Sequence, residues 1–184
     1  MFRNIMKGLQ SAVDPLIGSI WSPRVPIHDV YLLVHPYYST DGMPNPYMRE
    51  IWVKSIQDAA KDEGTFGVLC LEGYHESKKK LDESDVTAPT GQALRDFKGE
   101  FHKHFGEKRS KIVIASLLNN PDVHSDKRLE ARLVDRASVR VSARGEYGDI
   151  CVEDAIKGFS ERYDIPYHNC SIIKDECVWL KSPQ

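Results

Sequence analysis

Val30-Tyr31-Leu32-Leu33-Val34 is an unbroken apolar run that stops at His35-Pro36. Its length suits a strand, and its lack of polar alternation suits a strand buried on both faces. Outward from it the chain repeats the same unit. Phe66 to Leu71, Lys111 to Leu118, Ala137 to Ala143 and Asn169 to Ile173 predict four further strands, with 175–179 extending the fifth or opening a final turn. Helical periodicity lies between them. Met48, Ile51, Trp52, Ile56 and Ala59 share one face of a helix predicted from Pro46 to Glu63, and Gly64 stops it. Leu94, Phe97, Phe101 and Phe105 mark a second helix over 91–106, and charged or amphipathic segments at 126–136 and 149–163 predict two more. Strand and helix alternating in this way predict an α/β fold. It is a three-layer α/β/α sandwich on a mostly parallel, doubly wound sheet of about five or six strands.

The chain has 184 residues, 41% apolar and 28% charged, with a formal net charge of −2. That composition predicts one compact domain, over 28–184, preceded by a helical arm over 1–27. In the arm, Phe2, Ile5, Met6, Leu9 and Val13 recur at helical spacing until Asp14-Pro15 interrupts them. The arm offers a surface for a homo-oligomer, or packs on its own domain. A pI near 6.4 gives no reason to expect nucleic acid as a partner. Lys78-Lys79-Lys80 is followed by Asp82, Glu83 and Asp85, which reads as a solvated loop. No apolar run approaches the roughly 18 residues of a membrane span, and the N-terminus lacks the core of a signal peptide. Cys70, Cys151, Cys170 and Cys177 form no C-x-x-C pair and read as reduced thiols, with a Cys170–Cys177 disulfide the lesser possibility. A cytoplasmic location is expected.

In an open parallel sheet, ligands sit beyond the carboxyl ends of the strands, where the strand order reverses. That rule nominates the loops opening at His35, Glu72, Asn119, Arg144 and Lys174. The loop Arg144-Gly145-Glu146-Tyr147-Gly148 says most. Its glycines bracket a turn into a helix, Asp149 suits the N-cap, and Cys151 falls in the first turn. The positive end of the helix dipole would favour a thiolate there, and nearby N–H groups could hold an oxyanion. Equally, Cys151 suits a small residue packing the helix on the sheet.

The run Gly145-Glu-Tyr-Gly-Asp149-Ile-Cys151-Val152, following a strand, resembles the G-x-x-x-D-x-C-V signature of the isochorismatase-like hydrolases, the superfamily that includes nicotinamidases. The helix with Asp154-Ala155 and the strand from Cys170 to Asp175 are similar to the helix and strand downstream of the signature in that family. The resemblance implies Cys151 as nucleophile, small amides as substrates, and a cis peptide before the signature turn. It also implies an aspartate at the end of strand one and a lysine. Here His35 stands in the aspartate's place, and no lysine can be assigned.

His35 could act as base for Cys151 if strands one and four are neighbours, as in the order 3-2-1-4-5. Tyr37, Glu72, Arg144, Gly145, Glu146, Tyr147 and Gly148 are the expected substrate-binding residues. No cofactor is expected. Glu72 and His75 could hold a divalent metal, but a single E-x-x-H arises often by chance. Two other readings use the same residues: a non-catalytic relative that binds a small molecule or partner, and a phosphate- or nucleotide-binding domain of flavodoxin-like order. The second lacks any glycine-rich phosphate motif.

Overall fold

The computed structural model describes residues 25–36, 46–72, 96–106, 111–116 and 127–179. Five strands form one sheet: β1 (Asp29–Val34), β2 (Thr65–Glu72), β3 (Lys111–Ser116), β4 (Arg140–Glu146) and β5 (Cys170–Val178). Every pairing is parallel and the order is β3-β2-β1-β4-β5. The apolar run that decides the fold is the central strand, and the order in which strands are added reverses there, β2 and β3 on one side and β4 and β5 on the other. This is the doubly wound arrangement expected from the alternation.

Helices cover both faces. They are α1 (Pro46–Ala59), α2 (96–106, its last turn the π-helical His102–Gly106), the single turn α3 (Lys127–Glu130) and α4 (Cys151–Tyr163). Side chains alternate along β1, so it feeds two cores. Val30, Leu32 and Val34 join Phe66, Val68, Val141, Ala143 and the inner face of α4. Tyr31 and Leu33 join Leu69, Met48, Trp52, Ile56, Phe97, Phe101 and Phe105. The three phenylalanines of α2 recur every fourth residue and so meet the sheet as one stripe. Gly67 makes room for that stripe, because a Cβ there would lie 2.7 Å from the Phe105 ring. Burying each of these large side chains contributes roughly 1.5–3 kcal/mol.

Three boundaries differ from the sequence reading. The fourth strand runs to Glu146, so Arg144, Gly145 and Glu146 are strand and not loop. Gly145 pairs with Val34 of β1 and Cys177 of β5, and only a residue without a side chain fits, since a Cβ would lie 1.9 Å from the Val34 carbonyl oxygen. The helix expected over 126–136 is one turn, after which Arg132 turns back to donate from Nε to the Val25 carbonyl at 2.9 Å. Ile27 N–H donates to the Arg132 carbonyl at 3.1 Å, which ties 25–27 to the domain. The rest of the expected arm, 1–24, lies outside the described residues. Asp149 is not the helix cap: Ile150 occupies the N-cap with no side-chain cap bond.

The fifth strand carries a wide bulge. Ala143 pairs with Ile172 and Gly145 with Cys177, so 173–176 stand opposite Arg144 alone. The bulge delivers Glu176 to α1: its carbonyl accepts from Trp52 Nε1 at 2.8 Å and its Oε2 from Ser55 Oγ at 2.9 Å. All four thiols are free, which excludes the Cys170–Cys177 disulfide. Among the described residues no helix is long and apolar enough to cross a membrane.

Candidate functional site

The site is built where β1 and β4 end side by side. Val34 pairs with Gly145, so the next residues, His35 and Glu146, close neighbouring strands at the same level. The backbone there is unusual. His35 has φ 43°, Gly145 has φ 132° and Tyr147 has φ 60°. Left-handed backbone at two non-glycine residues costs on the order of 1–3 kcal/mol each and gathers at functional sites. His35 is held there from one side by its N–H, which donates to the Cys70 carbonyl at 2.9 Å.

His35 is 2% exposed, and burial lowers its pKa from 6.5 to about 4. The imidazole is therefore neutral near pH 7 and can accept a proton. Glu146 is wholly buried, and neither carboxyl oxygen has a hydrogen-bond partner among the described residues. Burial pushes its pKa up to about 8, so near pH 7 it is largely a neutral acid. The edge thus pairs a neutral base with a neutral acid, the reverse of the charged states that both groups hold in water at pH 5–6.

The turn into α4 is tightly bonded. Tyr147 carbonyl accepts from Ile150 N–H at 3.0 Å and Val152 N–H at 3.2 Å, and Gly148 N–H donates to the Val178 carbonyl at 2.9 Å. Two of the N–H groups expected to serve an oxyanion, those of Gly148 and Ile150, are already engaged. Gly148 lies under the Trp179 ring, whose atoms would be 3.0 Å from an added Cβ. Cys151 opens α4 as expected, but its side chain is 6% exposed and packs in the apolar core with Val34, Val152 and Ala155.

Arg144 is placed differently from the expected substrate-binding role. Its Nε donates to Glu176 Oε2 at 2.8 Å, its Nη1 to the Ser142 carbonyl at 3.0 Å, and its guanidinium stacks 3.8 Å above the Tyr31 ring. These bonds direct it into the α1 face as a structural cation. The sequence could not point to Glu176 as its partner, because only the bulge in β5 brings the two together.

Tyr37, His75 and the side chain of Glu72 lie outside the described residues, so the expected Glu72/His75 metal pair does too. Among the described residues, His28, Asp29 and Asp62 form a group of three potential metal ligands at the opposite edge of the sheet. Both Asp29 oxygens already accept from Arg140, at 2.8 and 2.7 Å. A pocket of about 240 Å³ lies near that edge, lined by Tyr31, Ser55, Asp58, Thr65, Ser142 and Arg144 among others. Its Asp58 is paired with Lys61, and Arg144 with Glu176, so its charges are internally balanced. The cis peptide that the family resemblance implies is absent among the described residues. No protein-family model, curated protein or solved structure matches the chain.

Proposed function

We propose that the chain is a cysteine hydrolase of the isochorismatase-like kind, acting on a small amide or related substrate at the carboxyl edge of β1 and β4. The observation that carries the reading is His35: a desolvated, neutral imidazole held in left-handed backbone at the end of the central strand. In this reading His35 takes the proton from the Cys151 thiol and the thiolate adds to the substrate carbonyl carbon. The C–N bond then breaks, and the amine leaves with the proton from His35. Water hydrolyses the remaining thioester and regenerates the thiol. The oxyanion is assigned to the backbone of the Gly148–Cys151 turn, where the N–H groups of Gly148 and Ile150 are engaged within the fold. Tyr37, Glu72, Gly145, Glu146, Tyr147 and Gly148 line the substrate. Four free thiols suit a reducing, cytoplasmic compartment, and the 1–27 segment is assigned to self-association.

The test is ammonia or amine release from a panel of small primary and secondary amides, with the wild type beside Cys151→Ser and His35→Asn. Turnover in the wild type that Cys151→Ser abolishes supports the reading. A second reading, a binding module without turnover, is favoured by the burial of Cys151 in the apolar core. It is supported instead if ligands bind at this edge and no amide is cleaved.

A further inference from the structure

Glu146 is a group at this edge to which the proposed hydrolysis gives no chemical step. Its side chain is 0% exposed, and both carboxyl oxygens lack a hydrogen-bond partner among the described residues. Buried polar atoms are nearly always paired, so an unpaired carboxyl in a core wall calls for a partner that no described residue supplies. The surroundings say what kind of partner. By register, Glu146 pairs with Val178 on β5, and it follows Gly145 as His35 follows Val34, the partner of Gly145 on β1. Arg144, the cation on its own strand, is committed to Glu176 and Ser142. No described side chain therefore brings a positive charge to the carboxyl. An anionic ligand would find no cation there either. A planar cation with two parallel N–H donors would satisfy both oxygens at once, in the fork geometry by which guanidinium and carboxylate pair.

We propose that Glu146 is a specificity-determining residue that recognises an amidinium or guanidinium group on the ligand, through both of its carboxyl oxygens. This rests on the reading of the β1–β4 edge as the ligand site, and it holds whether or not Cys151 turns the ligand over. A cation arriving at a protonated carboxyl ionises it, so binding releases a proton to solvent.

The experiment is calorimetry at pH 7 of the full chain with methylguanidinium, acetamide and acetate, in two buffers of different ionisation enthalpy. Methylguanidinium should bind best and release close to one proton. Glu146→Gln should weaken it about tenfold or more, and Glu153→Gln, at an exposed carboxylate of α4, should leave it unchanged. Glu146→Gln keeps the shape of the side chain, and the proton release is read on the wild type alone, so a poorly folding variant does not leave the question open. The proposal is overturned if acetamide or acetate binds as tightly as methylguanidinium. It is equally overturned if methylguanidinium does not bind, binds without proton release, or binds folded Glu146→Gln unchanged. Amide turnover lost in Cys151→Ser would stand through any of those results, which keeps the two readings separable.

Discussion

Arg144 and Glu176 form an ion pair, Nε to Oε2 at 2.8 Å, between β4 and the bulge in β5. Arg144 is nearly enclosed, with Tyr31 under its guanidinium and Ser142 beside it. Glu176 also takes hydrogen bonds from Trp52 and Ser55 of α1. The pair therefore joins the sheet edge to the helix above it. Removing one partner of a buried pair leaves the other charge uncompensated, which commonly costs about 3–5 kcal/mol. Glu176 is partly exposed, so Arg144→Met should cost less, about 2–3 kcal/mol, read from urea unfolding midpoints. A loss under about 0.5 kcal/mol would show that the pair is a surface contact.

Two glycines should respond in opposite directions to alanine. At Gly145, φ is 132° and a Cβ would strike the Val34 carbonyl, so Gly145→Ala should destabilise by roughly 3 kcal/mol or more, or prevent folding. Gly99, in α2, has nothing within 4 Å of an added Cβ. Gly99→Ala should stabilise by about 0.5–1 kcal/mol, because glycine is a poor helix former. Thermal or urea melts of the two variants check both signs.

The titration of His35 and Glu146 sets opposing pH slopes. His35 has its pKa lowered from 6.5 to about 4 in the folded chain. Between those values the unfolded chain binds the proton that the folded one refuses, so stability falls as pH drops from about 6.5 to 4, by up to about 3 kcal/mol. Glu146 is raised from 4.5 to about 8. Between those values the folded chain holds a proton that the unfolded chain releases, so stability falls as pH rises from about 4.5 to 8. The loss is on the order of 2–4 kcal/mol. His35→Asn keeps a residue that accepts left-handed backbone and should flatten the acid limb. Glu146→Gln should flatten the alkaline limb and make the protein more stable than wild type at about pH 8. Unfolding free energies of the three proteins across both limbs check this, and parallel curves would contradict it.

Asp164 closes α4 in left-handed backbone, φ 56°, with its N–H on the Glu161 and Ser160 carbonyls. Glycine takes that conformation without a side-chain penalty. Asp164→Gly should therefore stabilise by about 0.5–1 kcal/mol in a melt, and a loss would show that the aspartate side chain has a bonding role of its own.

The sheet was legible in the sequence because β1, β2 and β3 are apolar runs, and such runs signal burial on both faces without help from distant residues. The strand order was not legible: 3-2-1-4-5 entered only as a condition for His35 to reach Cys151, and the pairings of β1 with β2 and β4 establish it. What escaped was set by tertiary contacts. Arg144-Gly145-Glu146 has the composition of a loop, and it is a strand because Val34 and Cys177 pair with it from either side. Asp149 has the composition of a cap, yet the cap falls on Ile150, since the Tyr147 carbonyl takes the first N–H groups. That His35 and the Gly145–Glu146 step stand at strand ends was legible from where the apolar runs stop. The charge states were not, because they come from burial.

The most direct test of the central claim is the native-state alkylation of Cys151 by iodoacetamide across pH, read by mass spectrometry. Cys70 and Cys177 serve as internal references, since burial holds their thiols up at about 12 and about 11. A cysteine that serves as nucleophile beside His35 should be modified in the folded protein well ahead of both, and more slowly in His35→Asn. If Cys151 is modified only as the chain unfolds, together with Cys70 and Cys177, it is a packing residue of the α4 core and the hydrolase reading is wrong.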